Sequence, residues 1–423
     1  MTCFEPFRAL RPRAELAQAA LCPPYDVVTR QEAEKIAGES PYSFMRVIRA
    51  EADLPEEDPY SEAVYHKGAE NLNRLEKDGA YFTDEKPCYY IYSETMDGRS
   101  QTGIVGCSSI DDYENGVIKR HEVTRTEKEL DRIRHFETCS ADTEPVFFFF
   151  RSNPDISAVI NRITESEAPE YDVNDCSGVR HRLWPVRNDA DIVRLKELFS
   201  GLSELYIADG HHRTASAAKV GRKRREAAAH YDGTEEFNRF MAVSFPADQL
   251  KVYSYNRLIR DLNGLSTEEF LSRIADVCTI ADCGTRETLP EKKHTCTLYL
   301  DGKWYLLTFR EDGGEKTADS PEKGGSTDPV KDLDVSYLQD RILAPVLGIT
   351  DPKTDSRISF AGGVKGGEEL KRQVDSGEMK AAFAMYPVSV EEIMKIADAG
   401  LVMPPKSTWF EPKLGSGLFV HRF

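Results

Sequence analysis

At 423 residues the chain is long enough for two or three domain-sized cores, and 40% hydrophobic with 10% aromatic residues is the make-up of a globular protein rather than a disordered one. A formal charge of −17 argues against a protein whose main task is gripping nucleic-acid phosphates, which needs a basic surface. There is no apolar run of about 18 residues to span a membrane, no secretory pattern in Met1–Glu5, and the nine scattered cysteines suit reduced thiols in a cytoplasm.

In chain order, "CYYIYSET" and "QTGIVGCSS" flank Asp97-Gly98 and predict a hairpin over 88–108. "EPVFFFFR", 144–151, reads as a buried strand, and "HRLWPVRN" as another, followed by a helix from Asp189 with apolar residues at helical spacing. "ELYIA" is a strand, and the alanine-rich "RTASAAKVGRKRREAAAH" is a helix with a basic tail. Residues 238–259 predict two strands around Pro246-Ala247-Asp248, 266–277 a helix, and 295–310 a hairpin about Asp301-Gly302. The polar, glycine-rich stretch 311–329 reads as a mobile loop. Helices are expected at 334–347, 366–377 and 389–398, with a strand at 380–388. The class is α+β with mixed sheets, and the division falls near residue 262: a first region 1–262 and a second α+β region 263–423.

Four stretches carry residues suited to chemistry. Asp209-Gly210-His211-His212-Arg213-Thr214 stands between the strand and the alanine-rich helix. A helix start offers unpaired N–H groups and the positive end of the dipole to a phosphate or carboxylate. Arg213 adds a forked donor and Thr214 a hydroxyl. Asp209 is suited to Mg²⁺ or to orienting a hydroxyl nucleophile, or, more simply, to capping the helix. In "KRHEVTRTEKELDR", 119–132, His121-Glu122 begins like HExxH, but Arg125 breaks that pattern. The alternating charge otherwise reads as an exposed helix. "LCPPYDVV", 21–28, presents Tyr25 and Asp26 after a stiff Pro-Pro. "MPPKSTWFEPKLGSG", 403–417, presents Lys406, Ser407, Thr408 and Lys413, an anion site or a segment docked through Trp409 and Phe410. No Walker A sequence occurs, nor a GxGxxG after a strand.

These stretches, "PPYDV", "RHE", "DGHHRTA", "YNR" at 255–257 and "MPPKST", resemble in this order a bacterial and archaeal family catalogued as domain of unknown function 1015. "DGHHRTA" also resembles the corresponding motif of free-serine kinases in the ParB/sulfiredoxin-like superfamily. That resemblance implies a ParB/sulfiredoxin-like core around the strand–DGHHR–helix segment. It implies that Gly210, His212, Arg213 and Thr214 hold nucleotide phosphates, with Asp209 and His211 at the reacting centre. Glu122, with Arg120 and His121 beside it, is the candidate for the family's catalytic glutamate, and Arg257 in "YNR" a further site candidate.

The leading reading is phosphoryl transfer between ATP or ADP, with Mg²⁺, and free L-serine or O-phosphoserine, in either the kinase or the phosphatase direction. A homodimer is compatible with it; nucleic acid and membrane partners are not expected. The rival is a nucleotide-responsive, ParB-like binding protein without turnover, for which "GRKRRE", 221–226, is the one basic patch. A third reading makes the histidine cluster a plain surface turn.

Overall fold

The computed structural model describes residues 1–310 and 328–423, so the expected mobile loop lies, but for its last two residues, outside the described residues. The chain is α+β and divides into two units. Met1–Leu250 together with Pro412–Phe423 forms the first, and Lys251–Glu411 the second.

The first unit is organised by nine strands: β1 (Phe4–Glu5), β2 (Tyr89–Met96), β3 (Arg99–Ser109), β4 (Ile118–Lys119), β5 (Val146–Phe150), β6 (Tyr171–Asn174), β7 (Arg180–Val186), β8 (Leu205–Asp209) and β9 (Arg239–Pro246). They form one sheet in the order β4-β8-β5-β9-β3-β2-β7-β6, with β1 also on β3. The sheet is mixed: β4–β8 and β5–β9 run parallel and the other pairs antiparallel. The β2–β3 hairpin turns at Asp97-Gly98, both at positive φ (52° and 76°), as a two-residue turn between twisted strands demands.

Its main helices are α1 (Arg30–Glu39), α2 (Glu62–Lys77), α3 (Thr126–Cys139), α4 (Pro154–Ser166), α5 (Asp189–Ser200) and α6 (His211–Ala227). Ile156, Ile160 and Ile163 of α4, Leu195 and Phe199 of α5, and Ala217, Ala218 and Val220 of α6 share one core with Phe148, Phe150 and Ile207 of the sheet. Small side chains let α6 sit close. A Cβ at Gly221 would stand 2.3 Å from the Phe237 carbonyl oxygen, so only glycine fits there. A second core joins α1, α2, Tyr25, Cys139, Ala141 and Val420. The charge pattern over 119–132 does not end as an exposed helix. Only Thr126–Cys139 is helical, and Glu129, Asp131 and Arg132 are buried along with His121 in the preceding loop. α3 lies between α2 and α6; Tyr65 donates to Asp131 Oδ1 at 2.9 Å, Arg132 pairs with Asp131 and Lys219 with Glu129, which is how those charges are accommodated.

The second unit contains β10 (Tyr255–Ile259), β11 (Cys278–Gly284), β12 (Thr295–Leu300), β13 (Lys303–Phe309), β14 (Ile358–Gly362) and β15 (Ala381–Met385), with α7 (Thr267–Ile274), α8 (Gly366–Asp375) and α9 (Val390–Asp398). Its sheet is wholly antiparallel, in the order β11-β13-β12-β15-β10-β14. The helix expected at 334–347 is an α-turn over Asp334–Leu338 that loosens into a π-turn over Gln339–Leu343. All nine cysteines are free, and no helix of the described residues is long and apolar enough to cross a membrane.

Candidate functional site

The site is built on an irregularity in β8. Ile207 pairs with Phe148, yet Asp209 pairs with Phe147, so the strand bulges between them. The extra residue reverses which face the chain presents. Ile207 therefore stays in the core while Asp209 leaves that face. Gly210 follows at φ +92°, a left-handed conformation in which a Cβ would also meet Arg213 Nε at 3.0 Å. α6 then begins at His211 with Gly210, not Asp209, in the capping position, and no side chain caps it. The first-turn N–H groups of such a helix have no intrahelical acceptor.

Charges converge on this start. Arg213 is 3% exposed; its Nη1 donates to the Pro145 carbonyl at 2.6 Å and its Nη2 to Asp209 Oδ2 at 3.4 Å. Lys413 Nζ stands 3.5 Å from the same oxygen. Burial works against ionisation of Asp209, but Lys413 and then Arg213 overcome it and hold the carboxylate well below its ordinary range. Thr214 is fully buried, and both its N–H and its hydroxyl turn back to the Gly210 carbonyl.

"RHE" comes to the same place. His211 and His121 rings meet edge to face at 4.6 Å, and His211 Nε2 accepts the His121 backbone N–H at 3.4 Å. An accepting Nε2 leaves the proton of the neutral ring on Nδ1, which faces Glu122 Oε2 at 3.7 Å. Burial pushes His211 down to about 4 and His121 to about 3, so both rings are neutral at pH 7. His212 Nε2 accepts the Arg125 N–H at 3.0 Å, and its pKa is lowered too, again chiefly by burial. Arg120 is exposed, and its charge lowers His211 further. Glu122 keeps 38% of its side chain in solvent.

"PPYD" supplies a third side. Tyr25 is buried, with Arg132 stacked on its ring at 3.8 Å, and its N–H donates to Glu144 Oε1 at 3.0 Å. Ser416 Oγ donates to the same oxygen at 3.1 Å, and Arg132 Nη1 stands 3.5 Å from Glu144 Oε2. Burial raises the Glu144 pKa, against the opposing charges of Arg213 and Arg132. Asp26 is exposed, and its charge is felt by His212, Arg213 and Glu144. Sequence reasoning missed Arg132, Glu144 and Ser416. The signal was a carboxylate heading the apolar run "EPVFFFF", which demands a buried cation.

Lys406, Ser407, Thr408 and Arg257 belong to the second unit. Lys406 adopts φ +56°, and Ser407 Oγ donates to the Pro404 carbonyl at 2.7 Å. The described residues contain no group of three or more His, Cys, Asp or Glu arranged for a metal ion. Asp209 by itself offers one carboxylate, enough for Mg²⁺ only when phosphate oxygens complete its shell. The basic patch is spent on neighbours. Arg222 pairs with Glu114, Lys223 with Glu137 at 2.6 Å and Arg225 with Asp111 at 2.5 Å, while Arg224 donates to the Phe423 carbonyl at 3.2 Å.

Residues 4–336 match the family model described as "Protein of unknown function (DUF1015)". The chain belongs to that family. No curated protein matches it. Among solved structures it is similar to a free serine kinase in complex with AMP, at 14% identity and a TM-score of 0.35, covering 79% of this chain and 93% of that one. A conserved hypothetical protein from Pyrococcus furiosus is 16% identical with a TM-score of 0.35, covering 75% and 95%. SbnI with a C-terminal truncation, from Staphylococcus aureus, is 12% identical with a TM-score of 0.39, covering 75% and 87%. At these scores the neighbours bear on neither the site nor the activity of this family member.

Proposed function

We propose that the first unit transfers a phosphoryl group between ATP or ADP and the hydroxyl of a small metabolite, which the DGHHRTA resemblance makes free L-serine or O-phosphoserine. The observation that supports this most is the uncapped start of α6, with an ionised carboxylate held beside it by Arg213 and Lys413. Free N–H groups, a helix dipole and two cations suit a phosphate, and the reaction asks mainly for positioning and charge neutralisation. In the kinase direction the serine hydroxyl oxygen bonds to the terminal phosphorus. The bond from that phosphorus to the leaving nucleotide's oxygen breaks, and the hydroxyl proton passes to a base. Glu122 is partly in solvent and faces the Nδ1–H of neutral His211, which suits it to that proton. Asp209 orients the hydroxyl and would hold Mg²⁺, which would add positive charge at the transferring group.

The test is ³¹P NMR of the protein with L-serine and ATP or ADP, and separately with O-phosphoserine. The expected result is formation or loss of phosphoserine that depends on Asp209. Absence of transfer to any hydroxy amino acid, combined with nucleotide-dependent retention on DNA, would replace this reading with the binding-protein one. The paired state of 221–226 weighs against that outcome.

A further inference from the structure

Buried arginines in this molecule are met by carboxylates: Arg11 by Asp84 and Glu170, Arg132 by Asp131 and Glu144, Arg213 by Asp209. Arg257, in the middle of β10, departs from the pattern. It is 4% exposed, its Nη1 donates to the Tyr255 carbonyl, and its guanidinium lies 5.5 Å from the Phe360 ring centroid. Its Nε and Nη2 donate to no described group, and no carboxylate of the described residues pairs with it. Burial pulls it down to about 10, opposed only by Tyr255. A buried charge without a counter-ion is strongly disfavoured.

A second cation of the second unit reaches the same tyrosine. Lys406 Nζ stands 5.2 Å over the Tyr255 ring, which meets Trp409 edge-on at 4.9 Å and Phe360 at 6.1 Å. Glu411 accepts the Trp409 indole N–H at 2.8 Å. Two cations are thus set among three aromatic rings, and rings exclude water and so strengthen any ion pair formed between them. A guanidinium fork matches the two oxygens of an oxyanion, and a second cation favours a dianion over a monocarboxylate.

We propose that Arg257, supported by Lys406, is an oxyanion site of the second unit that takes the phosphate group of a phosphorylated small ligand. This site shares no residue with the Asp209 cluster and is independent of the transfer reaction. The phosphate could arrive as inorganic phosphate or pyrophosphate, on a nucleotide, or on an amino acid, and calorimetric titration of the full chain separates these sources. Inorganic phosphate, pyrophosphate, ADP and O-phospho-L-serine are the probes, each at ionic strength matched with KCl. At least one should bind the native protein, and Arg257→Met should weaken that binding by about tenfold or more, the loss of one charge-assisted hydrogen bond. Arg257→Lys, which keeps the charge and loses the fork, should fall between the two and decides the matter alone if the methionine variant does not fold. Arg260→Met, at an exposed position just beyond β10, should bind as the native protein does. The site assignment fails if no probe binds, if both Arg257 variants bind unchanged, or if Arg260→Met weakens binding as much as Arg257→Met.

Discussion

Two helices of the first unit follow strands of the same sheet and start in opposite ways. After β7, Asn188 turns its side-chain oxygen onto the N–H groups of Ala190 and Asp191, at 2.9 and 3.3 Å, and α5 begins with its donors answered. After β8, a bulge and a left-handed glycine deliver α6 with no such oxygen, while Arg213 and Lys413 raise the local positive charge. One start is closed by its own sequence; the other has no side-chain oxygen on its first donors. Structural need alone explains the first and not the second.

The comparison breaks most sharply at Asp209. Asp209→Asn should lower phosphoryl transfer by about 10³-fold with the protein still folded, because the charge that balances Arg213 and Lys413 is gone. Turnover within a few-fold of native in the ³¹P assay would remove Asp209 from the reaction. Glu122→Gln should lower kcat by about 10²-fold with little change in nucleotide affinity, as for loss of a base. Weakened nucleotide binding with intact kcat would give Glu122 a different role.

Acid should also separate the two regions. His211 and His121 stay neutral in the native protein down to about 4 and 3, whereas the unfolded chain takes up protons below about 6.5. Their contribution is therefore present above about pH 6.5 and is lost as pH falls, by about 3 kcal/mol for each ring by pH 4. Urea denaturation at pH 7 and pH 4 reads this. The acid-induced loss should shrink in His211→Phe, and an equal loss in that variant would assign it elsewhere. Gly210→Ala should cost about 1–2 kcal/mol, through positive φ and the contact with Arg213, and should weaken nucleotide binding as well. Asn188→Ala should cost about 1 kcal/mol and leave turnover alone. If both changes affected turnover alike, the contrast between the helix starts would be one of stability only.

Much of the fold is legible in the residues. The turn pairs Asp97-Gly98 and Asp301-Gly302 both take positive φ between paired strands, and "VFFFF" is a buried strand. "DADIVRLKELF" forms α5, as its spacing requires. The histidine cluster at a strand-to-helix junction was also readable, because backbone donors at a helix start follow from local structure. What misled was charge. Glu129, Asp131 and Arg132 look solvated in a linear reading, since partners distant in sequence, Lys219, Tyr65 and Glu144, make their burial tolerable. The two histidines look chargeable for the same reason, and burial makes them neutral. The bulge that turns Asp209 out of the core leaves no local mark in "LYIAD".

Pro412–Phe423 joins the first unit after the whole second unit has intervened, and it supplies Lys413 to Asp209 and Ser416 to Glu144. During synthesis, then, residues 1–250 leave the ribosome with Asp209 lacking one of its two paired cations. At ~5–20 residues per second the missing segment follows on the order of ten seconds or more later. Until it arrives Asp209 has Arg213 as its sole cationic partner from the first 250 residues, although all nine strands of the sheet are already present. The order of translation makes the full charge balance at Asp209 wait for residues 412–423.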